Sequence, residues 1–155
     1  METLHFTVQI NAKPDVVFNT IIDPIHFQEW TSPFSPTSYY KGTWEKGTTM
    51  HFLAEDENGN ISGMISRIKE NITNKFISIE HYGWIQNGEE ITEGEEVEGM
   101  KGALENCTIT LKGIQTELKV DTDTFLEMKD FFLNTWPKAL EKLKSICEGN
   151  SKVDK

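Results

Sequence analysis

The sequence predicts an α+β fold: a curved antiparallel sheet of about six or seven strands wrapped around one long C-terminal helix, with two short helices after the first strand. Three observations predict it. From Thr124 to about Cys147, apolar residues recur at Phe125, Met128, Phe132, Trp136, Ala139, Leu140, Leu143 and Ile146. Those steps of three and four mark one face of an α-helix. The middle of the chain is a series of alternating apolar and polar stretches parted by tight-turn residues, which reads as sequential antiparallel strands. Between the first such stretch and the rest lie Pro14 and Pro24, each suited to opening a short helix.

In order, Leu4 to Ile10 alternates, with Leu4, Phe6, Val8 and Ile10 on one face. Val16, Val17, Phe18, Ile21 and Ile22 then follow helical spacing, giving a helix from about Pro14 to Ile21 and a second from Ile25 to Glu29. Pro33 and Pro36 keep Thr31 to Thr37 irregular. Strands are expected at Ser38 to Gly42, Thr48 to Glu55, Ile61 to Lys69 and Lys75 to Gln86. Asn58-Gly59 marks a hairpin turn between the second and third of these. Asn87 to Gly102 carries Glu89, Glu90, Glu93, Glu95, Glu96 and Glu98 among glycines. So many like charges resist burial, so the stretch reads as a mobile surface loop, though Asn87-Gly88 could extend a hairpin part of the way. Ala103 to Lys112 and Ile114 to Asp121 form a hairpin around Gly113. The long helix comes last, with Asp123 or Thr124 as N-cap and a kink expected at Pro137. Residues 1–149 are expected to form one domain, and 150–155 a disordered tail.

Composition narrows the function classes. The chain has 155 residues, a net charge of −10, four Trp and nine Phe. That is a folded, acidic domain with no basic patch for nucleic acid or an anionic membrane. No stretch is long and apolar enough to span a bilayer, and no leader is read at the N-terminus, so a cytoplasmic protein is expected. Cys107 and Cys147 match no metal or redox spacing and read as buried thiols. No metal site, cofactor or nucleophile motif is read.

Certain stretches resemble a known family. FTVQINAKPDVVF, Phe6 to Phe18, is similar to the opening of the START/Bet v 1-like (SRPBCC) superfamily. DPIHFQEWTSP, Asp23 to Pro33, and WPKALEKLK, Trp136 to Lys144, resemble the branch named after activator of Hsp90 ATPase homologue 1. The resemblance covers nearly the whole chain and implies the helix-grip fold, with a cavity between sheet and long helix that takes apolar or amphipathic small molecules. The acidic stretch matches no pattern of that family. Fold likeness does not specify chemistry.

On that expectation the cavity lining is Trp30, Phe34, Met50, Phe52, Ile79, His81, Phe132 and Trp136. Aromatics offer rigid contact area and thioethers adapt to varied ligands; plain core packing is the competing role for each. Met64, Met128, Trp44 and Trp84 are further candidates. His81 shares parity with Ile77 and Ile79; if that face is inward, a polar group enters an apolar cavity. If Phe76, Tyr82 and Trp84 face inward instead, Glu80 is the buried polar group, and parity alone leaves both registers open. His51 faces away from Met50 and Phe52. The function expected is a non-enzymatic binding protein for a small hydrophobic or amphipathic molecule. The alternatives are a cavity-based cyclase, hydrolase or dehydratase, using His81 with Glu80, Tyr82 or Glu29, and a partner of an Hsp90-type chaperone. The Glu89–Glu98 stretch could be a docking surface for a protein partner or a lid over the cavity mouth.

Overall fold

The structure, a computed structural model, describes residues 1–149; the tail expected at 150–155 lies outside them. The chain runs β1 (Glu2–Ile10), α1 (Pro14–Ile22), α2 (Pro24–Trp30), β2 (Tyr39–Lys41), β3 (Thr49–Glu55), β4 (Ile61–Ile72), β5 (Phe76–Gln86), β6 (Glu89–Ile91), α3 (Glu95–Glu98), β7 (Ala103–Lys112), β8 (Gln115–Thr124) and α4 (Leu126–Cys147). One antiparallel sheet takes the order β1-β8-β7-β5-β4-β3-β2, with β6 paired to the end of β5. That is the expected helix-grip, α+β architecture, with β6 making an eighth strand.

Local chemistry explains the short helices. Asp23 is extended, ends α1, and its carboxylate accepts from the amides of Ile25 and His26 at the start of α2. Proline supplies the first turn of each helix. Between β3 and β4 only Gly59 has a positive φ. The turn is held instead by Asp56, which accepts from the amides of Asn58 and Asn60.

The main core lies between one face of the sheet and α1, α2 and α4. Ile10, Met50, Ile68, Ile77, Leu118, Val120 and Leu143 are fully buried there. A smaller cluster of Leu53, Ile65 and Ile85, with Tyr39, Ile61 and Tyr82, covers the opposite face.

The change of face along β5 comes from a bulge. Ser66 pairs with His81, but Ile65 pairs with Gly83, so Tyr82 is an extra residue on β5. Ile77, Ile79 and His81 therefore share the core face with Trp84, while Tyr82 and Ile85 lie on the other. Of the two registers left open in the sequence, the one with His81 inward holds as far as the bulge, and of the other only Trp84 reaches the core face. Glu80 points outward, 3.4 Å from Arg67, whose guanidinium lies over Tyr82 at 4.7 Å. His51 also lies away from the core, 3.5 Å from Glu90.

The acidic stretch differs from the expected loop. Asn87 and Gly88 take φ values of 52° and 79°, making a two-residue turn into β6. Gly83 allows Ile91 and Thr92 to approach β5 closely, because a side chain at position 83 would meet the carbonyl of Ile91 and the side chain of Thr92. Val97 and Met100 are then buried, 1% and 2% exposed, while the glutamates stay outside. Two well-placed apolar residues anchor what composition alone reads as loop.

The start of α4 also differs. β8 continues pairing with β1 through Thr124, so the helix begins at Leu126, with Phe125 at the N-cap position and no side-chain cap. The helix runs through Pro137. Pro137 and Leu133, the residue whose carbonyl loses its donor, are both exposed, so water can satisfy the gap.

Candidate functional site

The second half of α4 closes onto the core through Trp136, Ala139, Leu140, Leu143 and Ile146. Its first half does not: Phe125, Met128, Phe131 and Leu133 are between 36% and 44% exposed. Under that half lies a cavity of about 560 Å³ between the sheet and the helix. Phe125 and Met128 belong both to its lining and to the surface, so the cavity opens beside them.

Seven of the eight residues expected at the lining meet here: Trp30, Phe34, Phe52, Ile79, His81, Phe132 and Trp136. Met50 does not. It is fully buried on β3 and its sulfur occupies the space beside Gly42, so it fills core and presents no surface to the cavity. Met64, Met128, Trp44 and Trp84 also line the cavity, which therefore has all four indoles of the chain in its wall.

The aromatic wall is organised around Trp136. Its ring centroid lies 5.1 Å from Phe34, 6.0 Å from Phe6 and 6.2 Å from Trp30. Phe34 also stands edge-on to Phe132 at 6.1 Å. The Trp30 indole N–H donates to the Ile21 carbonyl, whereas that of Trp136 is buried without a partner among the described residues. Trp44 adopts an unusual φ of 66°, and Asn71 Nδ2 donates to its carbonyl at 2.8 Å.

Against this apolar wall the sheet contributes a few polar groups. His81 Nδ1 sits 2.6 Å from the hydroxyl of the fully buried Ser66. Burial pushes the imidazole pKa down to about 4, partly opposed by the negative charge of Asp123. Glu105, on β7, shares the inward parity of Ala103, Cys107 and Ile109 and lies opposite Ile79 on β5 and Thr122 on β8. No donor among the described residues bonds its carboxyl, and burial pushes its pKa up to about 7. The Cys107 thiol next to it is pushed well above its usual range, first by burial and then by Glu105 and Asp121. Asp123 accepts from the Thr3 hydroxyl at one carboxylate oxygen and from the Leu104 amide at the other.

Glu105 is the functional candidate that sequence reasoning missed. Its signal was present, because it stands two residues before Cys107 in an alternating strand. Of the acidic partners weighed for His81, Glu80 faces outward. Among the described residues no group of three His, Cys, Asp or Glu side chains is placed to hold a metal ion, and no helix is long and apolar enough to cross a membrane.

No protein-family model matches the sequence, and no curated protein matches it. Solved structures do match in fold. The Aha1 dimer of Colwellia psychrerythraea superposes with a TM-score of 0.69 at 19% identity, over 97% of this chain and 98% of that one. ChR145 of Cytophaga hutchinsonii gives 0.70 at 14% identity, over 96% and 95% of the two chains. DynU16, from the dynemicin biosynthetic locus, gives 0.68 at 13% identity over 97% of this chain, which spans 49% of DynU16. Together with the strand order and the long terminal helix, these likenesses establish that the chain has the Bet v 1-like, SRPBCC-type helix-grip fold.

Proposed function

We propose that this protein binds a small, mostly apolar molecule in the cavity between the sheet and the first half of α4. The observation that carries the proposal is the cavity itself: about 560 Å³, walled mainly by aromatic and aliphatic side chains, with polar groups from the sheet, His81, Glu105 and Thr122 among them, and the hydroxyls of Thr31, Ser35 and Ser38 after α2. Close packing is the norm in a protein interior, and a volume of this size with a small number of placed polar groups is the usual form of a ligand site. Trp30, Phe34, Phe52, Ile79, Phe132 and Trp136 would supply contact area, and His81 and Glu105 would orient the polar end. Residues 1–149 act as one unit in this scheme. Cys107 and Cys147 are free thiols, which suits a reducing compartment such as the cytoplasm.

Native mass spectrometry of the protein as purified, compared with its denatured mass, tests the proposal. Ala54 lines the cavity beside Phe52 and Leu53, and a reproducible adduct of small-molecule mass, lost in the cavity-filling variant Ala54→Phe, is the expected result. If neither the purified protein nor protein incubated with a mixture of apolar compounds carries an adduct, the proposal fails.

A second reading has one observation in its favour. His81 and Glu105 bring an imidazole and a carboxyl to the same cavity, the minimum for acid–base catalysis. Incubating the released molecule and its open-chain or isomeric analogues with fresh protein tests it: a change in mass or in chromatographic retention supports an enzyme, and molecules recovered unchanged in both contradict one.

A further inference from the structure

The charged side chains of the cavity wall are of one sign. Its lining includes Glu105 and Asp123, and no Lys or Arg among the described residues, with the terminal residue Met1 at its exposed end. Asp123 already has a donor on each carboxylate oxygen, from the Thr3 hydroxyl and the Leu104 amide. The Glu105 carboxyl has none, although it lies among Ile77, Ile79 and Cys107. Half-buried and open to the cavity, that carboxyl is free to take a donor from a bound molecule, and a charged donor makes the stronger bond.

No Lys or Arg side chain of the described residues lies beside Glu105, and the terminal residue Met1 lines the cavity only at its exposed end. The neighbours of Glu105 across the sheet are Ile79 and, on the diagonal, His81 from β5, and Thr122 from β8, with Cys107 on its own strand. Of these only His81 could become a cation, and burial holds it neutral near pH 7. The field outside has the same sign. Met100 lines the cavity, and the glutamates of the adjoining β6 and α3 are exposed around it. The whole chain carries −10. Such a field draws cations toward the mouth and repels carboxylates.

We infer that the ligand is an apolar molecule bearing a protonated amine, whose ammonium pairs with the Glu105 carboxylate. This rests on the binding function proposed above and names its ligand class. An ammonium supplies the charged donor the carboxyl lacks, and the aromatic rings around Trp136 receive the apolar part. Where Glu105 is protonated before binding, forming the pair releases that proton to solvent, and the amine keeps its own. A fatty acid or other apolar anion is excluded by like charge.

Two matched sets of probes test the assignment: decylamine, decanol and decanoate, and naphthylmethylamine, naphthylmethanol and naphthoate. Isothermal titration is run at about pH 8, where both Glu105 and the amines are charged. The amine should bind at least about tenfold more tightly than its alcohol, as charge-assisted bonds exceed neutral ones, and the carboxylate weakest of the three. Glu105→Gln should abolish the amine's advantage over its matched alcohol, bringing the two to similar affinity.

A measurement on the unaltered protein removes dependence on the variant. Titration with amine at about pH 6, in two buffers of different ionisation enthalpy, should show close to one proton released per amine, falling toward none at about pH 8.5. An alcohol binding as tightly as the amine, or no proton release at the lower pH, overturns the inference while leaving the binding function standing. If no probe of either set binds, the binding function itself falls, and the inference with it.

Discussion

His81 on β5 and Glu105 on β7 stand diagonally across one ladder, because His81 pairs with Ala103 and Ile79 with Glu105. Both side chains line the same cavity. Burial moves them in opposite directions, the imidazole down to about 4 and the carboxyl up to about 7. Near neutral pH the pair is a neutral imidazole beside a carboxyl close to its midpoint, so the sheet side of the cavity is weakly held in charge and responsive to what binds.

The pH dependence of stability follows from those shifts. Glu105 has its pKa raised from 4.5, so its contribution to folding is fully present below pH 4.5 and is lost as pH rises through about 7. His81 has its pKa lowered from 6.5, so its contribution is present above pH 6.5 and is lost as pH falls through about 4. Between pH 4.5 and 6.5 the two trends oppose each other. Glu105→Gln removes one of them. It should raise stability above about pH 7.5 by about 1–3 kcal/mol and change it little near pH 4.5. Urea unfolding of both proteins at the two pH values checks this; a variant no more stable than the wild type at the higher pH contradicts it.

Ser66→Ala should leave His81 Nδ1 without its partner. Because Ser66 is wholly buried and the bond is 2.6 Å, the loss is expected to cost about 1–3 kcal/mol. Urea unfolding at neutral pH measures it, and an unchanged midpoint would show that the bond is not made in solution.

Trp136 joins α4 to α2 and β1 through Trp30, Phe34 and Phe6. Trp136→Ala should destabilise by about 3–5 kcal/mol, since a large buried ring leaves a void. Trp136→Phe should cost less than about 2 kcal/mol, because it keeps ring contact and removes the unpartnered buried N–H. Thermal or denaturant unfolding of the pair separates packing from hydrogen bonding, and similar losses in both would contradict this picture.

The sequence carried the architecture because periodicity is a local signal. Alternation in Leu4 to Ile10 and the helical spacing of Trp136, Leu140 and Leu143 each report a buried face directly. What it did not carry depends on distant packing. The bulge at Tyr82 breaks parity within one strand, so neither the His81 face nor the Trp84 face could be chosen for the whole of β5. Met50 and Phe52 share a face on β3, yet only Phe52 reaches the cavity, since the space beside Gly42 takes the Met50 sulfur. The glutamates from Glu89 to Glu98 obscured Val97 and Met100, two apolar residues that dock the stretch. Glu105 was hidden differently: its parity was legible, but a carboxylate in an inward position runs against the usual preference for the surface.

The central claim is that a small molecule occupies the cavity, and the four indoles provide its most direct test, because Trp30, Trp44, Trp84 and Trp136 all line it. Nitrogen-15 NMR resolves one indole N–H resonance for each. Titration with naphthylmethylamine should move these resonances saturably, together with amides of β5 and β7 around His81 and Glu105, while the side-chain methyl resonances of Ile65 and Ile85 on the opposite face stay in place. Shifts confined to that opposite face or to exposed loops, or no shift with either probe set, would contradict the claim.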